Sequence, residues 1–312
     1  MRSNSDLTPR PIVTVALAVF NGEDYLAECI ESILAQTLTD FEFIIVNDGS
    51  TDSSLKILEN YADKDARISV ISQKNQGLVL SKNRWLEVAE GKYIAIIDHD
   101  DLSLPDRLFN QVTYLDAHPE VVCVGGDSLL IDEKGRFLTR LFHLRGDEAI
   151  QAAALAGHGA ITHPAAMIRT QVIRQINGYD NRYNFAEDLD LWLRLGEVGK
   201  LENLDVPVLK YRMHGKSISE RKGELQREVA KNACEAAWER RGIAGEFQAT
   251  GLWRPSASVD SKFQFALQYG WWAWNSGERK TAAYYGFKAI RLKPYSNKGW
   301  VLVARSFLRS PK

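Results

Sequence analysis

Cysteine is scarce: the 312 residues hold three, Cys29, Cys123 and Cys234. They are odd in number, widely spaced and set among apolar neighbours, which speaks against a disulfide framework and suits a reducing compartment. Nowhere do about 18 apolar residues run together, so no stretch reads as a bilayer span. The first ten residues, MRSNSDLTPR, lack the apolar segment of a signal peptide and read as a flexible N-terminus, which makes a cytoplasmic protein the expectation. Charge of one sign is not in excess either. Thirty-nine Lys and Arg face 40 Asp and Glu, a net charge of -1, which argues against nucleic acid as a partner. Several signatures are missing altogether: a Walker A loop, Gly-x-Gly-x-x-Gly, a Gly-x-Ser-x-Gly elbow and any zinc-spaced Cys and His cluster. P-loop, dehydrogenase, serine-hydrolase and zinc readings lose their usual support.

What remains is an ordinary globular composition, 45% hydrophobic and 25% charged, enough for one large domain or two smaller ones. The charge is divided along the chain. Residues 221–312 carry 17 basic and 7 acidic side chains, so the excess acid lies in residues 1–220. Six of the eight Trp (238, 253, 271, 272, 274 and 300) also lie in that basic stretch.

Apolar runs alternate with helical periodicity through the first hundred residues. Ile12 to Phe20 reads as a buried strand stopped by Asn21-Gly22, and Leu26, Ile30, Ile33 and Leu34 form a helical stripe. Strands at Phe41 to Val46, Ile68 to Ile71 and Tyr93 to Ile97 follow, separated by helices at Ser53 to Tyr61 and Leu80 to Ala89. This alternation predicts an α/β fold with a mainly parallel sheet flanked by helices. Beyond Leu102 mixed pairing is expected: a helix from Pro105 to Asp116, strands at Val121 to Val124, near Phe137 and at Ala165 to Ile168, a helix after Glu187 and a strand at Val206 to Arg212. Residues 221–312 read as helical, with one tetratricopeptide-like helix pair near 263–293 turning at Asn275-Ser276-Gly277.

In open α/β sheets ligands bind beyond the carboxyl ends of the strands, where FNGED, NDGSTD and DHDD all fall. Asp98-x-Asp100, with Asp101 next to it, puts three carboxylates within four residues; they repel one another, and hard oxygen ligands of this kind suit Mg2+ or Mn2+. Alone, such a cluster also describes a solvated acidic turn. Asp48 can accept from a pyrimidine imide or a ribose hydroxyl, or cap the following helix; Phe20 can stack on a base or fill the core. Glu187-Asp188 opens a helix, where the dipole keeps a carboxylate ionised and fit to act as a base, or where the acids simply complement that dipole. His214, after the last strand, is a candidate metal or diphosphate ligand. His99, His158 and His163 are weaker ones.

In order, these pieces resemble the inverting family-2 glycosyltransferases of GT-A fold. VTVALAVFNGEDYLAECIESILAQTLTDFEFIIVNDGSTDSS is similar to their opening strand, first helix and second strand, and NQGLVLSKNRWLEVAEGKYIAIIDHDDLSLPDRL to the segment reaching their DxD motif. AEDLDLWLRL and YRMHGKSIS match the later acidic motif and the His-bearing strand end. The resemblance covers about residues 12–220 and implies a domain over 11–220 followed by a helical C-terminal region over 221–312. It further implies that Phe20, Asn21, Asp48, Lys82 and Asp98 face a nucleotide-sugar donor, that Asp100 and His214 hold Mn2+ or Mg2+, and that Asp188 is the catalytic base. The implied reaction is sugar transfer from a nucleoside-diphosphate sugar, a UDP-sugar by preference, to a saccharide or lipid-linked saccharide hydroxyl in cell-surface polysaccharide or glycolipid synthesis. Lys82-Asn83-Arg84-Trp85 stands where the family usually has Arg-Asn-x-Gly, so a point charge replaces a guanidinium fork. A nucleotide-sugar-binding scaffold or sensor, or a sugar-phosphate nucleotidyltransferase, are the alternatives. The basic, Trp-rich C-terminus suits either peripheral contact with the inner face of a membrane or a subdomain whose Trp fill its own core.

Overall fold

The computed structural model describes residues 10–214, 223–249 and 258–308. It divides into two compact units. The first takes in residues up to 127, 143–209 and 227–249; the second comprises 128–142, 210–226 and 250–312.

The first unit opens as the apolar runs predict: β1 (Val13–Val19), α1 (Leu26–Leu34), β2 (Phe41–Asn47), α2 (Ser54–Ala62), β3 (Ile68–Ser72), α3 (Leu78–Val88) and β4 (Tyr93–Asp98). Strands β3, β2, β1 and β4 are parallel neighbours in that order, with Val13 opposite both Phe41 and Tyr93. Strands β1 and β4 are buried along nearly their whole length because helices cover both faces, which is why they read as unbroken apolar runs. The pairing then turns mixed. After β5 (Leu102–Ser103), α4 (Arg107–Ala117), β6 (Val121–Asp132), β7 (Phe137–Leu141) and α5 (Asp147–Leu155), strand β8 (Met167–Arg169) lies antiparallel between β4 and β6. The chain continues through α6 (Thr170–Gln175), α7 (Glu187–Leu195) and β9 (Lys200–Met213), which sits between β6 and β5 in the sheet.

Gly91 shows how tightly the sheet margin is closed: a Cβ there would lie 2.3 Å from the Thr14 backbone nitrogen. Helix α8 (Gly223–Arg241) also packs into the first unit, since Ala230, Ala233, Cys234 and Ala237, at i, i+3, i+4 and i+7, join the core made by Ile94, Ile168, Leu191 and Trp192. A division at residue 220 is the sequence expectation; in the fold the small-residue stripe of α8 carries the first unit past it. All three cysteines are buried free thiols.

The second unit holds the β6–β7 hairpin end and three helices, α9 (Val259–Asn275), α10 (Arg279–Leu292) and α11 (Asn297–Ser306). Helices α9 and α10 are the expected pair, and Gly277 at φ 86° makes the turn between them. Its core is Leu130, Leu138, Met213, Phe263, Leu267, Tyr269, Tyr285 and Leu302, with Trp271, Trp272 and Trp274 packed against it. Asp132 ties hairpin to helix: its buried carboxylate accepts from Arg136 Nε at 2.6 Å and from the Tyr285 hydroxyl at 2.8 Å. No helix among the described residues is long and apolar enough to cross a membrane.

Candidate active site

The carboxyl ends of β1, β2 and β4 bring the three polar clusters together. The loop after β1 is laced to the loop after β2: Asn21 N–H donates to Ser50 Oγ (3.0 Å), Thr51 N–H to Asn21 Oδ1 (2.8 Å) and Gly22 N–H to Ser54 Oγ (2.9 Å). Asn21 adopts φ 53°, a left-handed conformation that Asn tolerates better than most residues, to make this closure. Its side chain therefore builds the rim. Phe20, just past β1, is 48% exposed, so of its two readings the surface-facing ring is the one observed.

Asp48 is buried at the end of β2. Its Oδ1 accepts from Gln76 N–H and Gln73 Nε2, each at 2.9 Å, and its Oδ2 from Gly77 N–H at 2.9 Å. The carboxylate thus sits over the N-terminus of α3, whose orphan N–H groups favour negative charge. It ties down the turn that leads into α3 and, among the described residues, makes no bond to the helix directly after it. Oδ2 accepts one bond among the described residues and retains a lone pair for a further donor.

The strongest electrostatic feature lies between β4, α3 and α7. Lys82, buried on α3, places Nζ 2.7 Å from Oε1 of Glu187, itself buried in the first turn of α7. Nζ also stands 5.1 Å from the centroid of the Tyr179 ring. Asn83 holds that tyrosine by both backbone groups, donating from Nδ2 to its carbonyl (2.8 Å) and accepting its N–H on Oδ1 (2.9 Å). The Tyr179 hydroxyl meets His163 Nε2 at 2.9 Å. Burial lowers the His163 pKa well below the imidazole range, and Lys82 and Arg107 push it the same way.

Two carboxyls share this surrounding. Asp98 is raised to about 6, mainly by burial, with Asp100 adding repulsion and Lys82 opposing. Asp188 is also raised to about 6, by burial and then by its neighbour Glu187, again opposed by Lys82. Glu187 is held down, because the attraction and hydrogen bond of Lys82 outweigh its burial. One ion pair thus keeps a third carboxyl low while the two others titrate near pH 6. In the acidic loop, carboxylate oxygens of Asp98, Asp100 and Asp101 lie within 4.8 Å of one another. Beneath it Arg107 is fully buried, donating to the carbonyls of Ile96 (2.7 Å) and Ala166 (3.1 Å) and to Ser103 Oγ (3.0 Å). Three converging carboxylates, one of them raised by burial and by a like charge, form a donor set that suits a hard divalent cation.

Asp98, Asp188 and Lys82 therefore share one cluster with Glu187, and Asp100 adjoins it. Asp48, Asn21 and Phe20 line the neighbouring strand ends. His214 follows β9 in the second unit, and its assignment to a metal rests on the sequence motif; residues 215–219 of that motif lie outside the described residues. Sequence reasoning gave no role to Arg107 or Tyr179 and did not pair Glu187. The one available signal was Arg107 inside the DHDDLSLPDRL segment.

The chain matches the profile of Glycosyl transferase family 2 over residues 14–176, just over half its length. It is 33% identical over 230 residues to an uncharacterized glycosyltransferase of Haemophilus influenzae, covering 71% of each chain. It is 29% identical over 220 residues to the chondroitin synthase of Escherichia coli, covering 70% of this chain and 31% of that one. Among solved structures, the mannosyltransferase PcManGT of Pyrobaculum calidifontis, in complex with GDP-Man and Mn2+, superposes with a TM-score of 0.56 at 16% identity, covering 96% of this chain and 81% of that one. The mixed α/β sheet with flanking helices and the likeness to that structure show a GT-A type fold. The chain belongs to glycosyltransferase family 2 and is a glycosyltransferase.

Proposed function

We propose that the protein is an inverting transferase that moves a sugar from a nucleoside-diphosphate sugar, a UDP-sugar first, to a hydroxyl of a saccharide or lipid-linked saccharide during cell-surface polysaccharide or glycolipid synthesis. The observation that carries this reading is Asp188: a carboxylate at the head of α7, raised to about 6 and grouped with Lys82, Glu187 and Asp98. A base whose pKa lies near neutrality takes a proton most effectively, an effect worth about 10²- to 10⁴-fold. The acceptor O–H proton passes to Asp188 while the acceptor oxygen bonds to the anomeric carbon. The bond from that carbon to the diphosphate oxygen breaks on the opposite face, and the nucleoside diphosphate departs with the electron pair. Single displacement inverts the configuration.

Asp98, Asp100 and Asp101 are the residues that would hold a divalent ion, Mn2+ or Mg2+. Such an ion, when bound, supplies charge neutralisation for a departing diphosphate. Phe20 offers a ring face for a base, and the remaining lone pair of Asp48 Oδ2 an acceptor for an imide or ribose donor. The synthase relative, named for a polysaccharide, supports the polymer side of this reading. Thermal unfolding in the presence of UDP, GDP, dTDP or CDP, each with and without Mn2+, tests the donor site. A ligand bound only by the folded state stabilises it by about 2.7 kcal/mol at a hundredfold excess over Kd. One nucleotide should raise the midpoint, and only with the metal; no shift with any of them contradicts a donor site.

A further inference from the structure

Three of the described C-terminal tryptophans, Trp271, Trp272 and Trp274, pack on the core of the second unit, and Trp238 packs in the first. Trp300 does neither: it is 55% exposed. It belongs to an unusual surface. The inner face of α11 buries Gly299, Leu302, Val303 and Ser306, so the outer face would ordinarily be polar. Instead it exposes Trp300, Val301 and Ala304, and the chain directly after it exposes Phe307 at 69% and Leu308 at 61%, with Lys298 and Arg305 beside them. The outer stripe of α10 carries both cations and rings, Lys280, Tyr284, Phe287, Lys288 and Arg291, all exposed. Tyr295, between the two helices, is fully exposed.

Charge identifies the partner class. Residues 258–308 hold eight Lys and Arg but only two acids, Asp260 and Glu278, and Asp260 already pairs with Lys293. A second copy of the same face would set like charge against like charge. A single nucleic-acid strand would satisfy the cations and rings but gives Val301, Leu308 and Phe307 no apolar layer to enter. An anionic bilayer does both: its headgroups attract Lys and Arg, each worth about 1 kcal/mol near the surface, while aromatic and aliphatic side chains settle at the acyl boundary. We infer that the outer faces of α10 and α11, with Phe307 and Leu308, form a docking surface for an anionic lipid bilayer. This surface lies outside the candidate active site and is independent of the transfer reading.

Flotation of the full chain with vesicles tests it. The protein should float with phosphatidylglycerol–phosphatidylcholine vesicles at low salt, stay behind with pure phosphatidylcholine, and be released by high salt. Phe307→Ser with Leu308→Ser, and separately Lys280→Glu with Lys288→Glu, should each lower partitioning by more than about tenfold. All four side chains are exposed, so the unfolding midpoint and the nucleotide-induced shift should not move in these variants. Equal partitioning of the wild type onto neutral and anionic vesicles would overturn the proposal. So would a dimer in solution that the Phe307→Ser, Leu308→Ser variant dissociates, or preferential binding to a single-stranded oligonucleotide at the same salt.

Discussion

Lys82 and Glu187, 105 residues apart in the chain, meet at 2.7 Å with both side chains buried. The contact joins α3 to the helix that carries Asp188. Removing one partner leaves the other charge buried without compensation, which costs about 3–5 kcal/mol, whereas replacing both by apolar groups costs far less. Lys82→Met should therefore lower stability in urea by about that amount, and Lys82→Met with Glu187→Leu should recover most of it. Equal losses in the single and double variants would mean that the pair is not the source of the effect.

The proposed base, Asp188, should set the pH dependence of turnover. As a base it must be ionised, so turnover should rise with pH up to about 6 and level off above. Glu187 is the neighbouring charge that holds its pKa up, and Glu187→Gln should move the acid limb of the profile to lower pH. The sign for stability is opposite to the usual carboxylate case. The folded pKa exceeds the unfolded one, so the folded state binds more protons between about pH 4 and 6 and stability is lost as pH rises through that window. Asp188→Asn should accordingly gain about 3 kcal/mol at pH 7 and nothing at about pH 3, measured as the difference between urea midpoints.

The acidic loop makes a separate prediction. Asp100→Asn removes one of three converging carboxylates and should lower the affinity of the proposed site for a divalent ion. Nucleotide alone should stabilise this variant as little as it does the wild type, and added Mn2+ should no longer enlarge the shift. The unfolding midpoint without ligand should stay or rise, because a like-charge repulsion is relieved. A full manganese effect in the variant would move the metal elsewhere.

In the second unit, the Tyr285 hydroxyl is one of the groups that satisfy the buried Asp132, along with Arg136 Nε and the N–H groups of Lys134 and Arg136. Tyr285→Phe keeps the ring in the core and removes that donor, which should cost about 1–2 kcal/mol. Asp132→Ala strands Tyr285 and Arg136 together and should cost more. Chemical denaturation monitored by tryptophan fluorescence separates the two.

Much of this architecture was readable from residue order because each early strand is a short apolar run closed by a polar cluster. FNGED, NDGSTD and DHDD end β1, β2 and β4, and parallel strands deliver their carboxyl ends to one edge. The later strands were underestimated. β6 runs on to Asp132 and β9 begins at Lys200, and the buried polar residues Asp127, Ser128 and Asn203 within them break the apolar pattern that signals a strand. The extent of the first unit was hidden because the buried stripe of α8 consists of Ala and Cys, whose small side chains give a weak periodic signal. At the site, Asp98, Asp100 and Asp188 stood out as acids at element ends. The Lys82 to Glu187 pair and the burial of Arg107 did not, since both depend on distant segments meeting.

In the proposed reaction Asp188 takes the acceptor proton while other residues hold the donor. The most direct measurement compares wild type and Asp188→Asn in two readouts: donor affinity by calorimetry with Mn2+, and release of nucleoside diphosphate with acceptor present. Unchanged affinity with release lowered by about 10²- to 10⁴-fold is the predicted result. Release at the wild-type rate would place the base elsewhere and contradict the account.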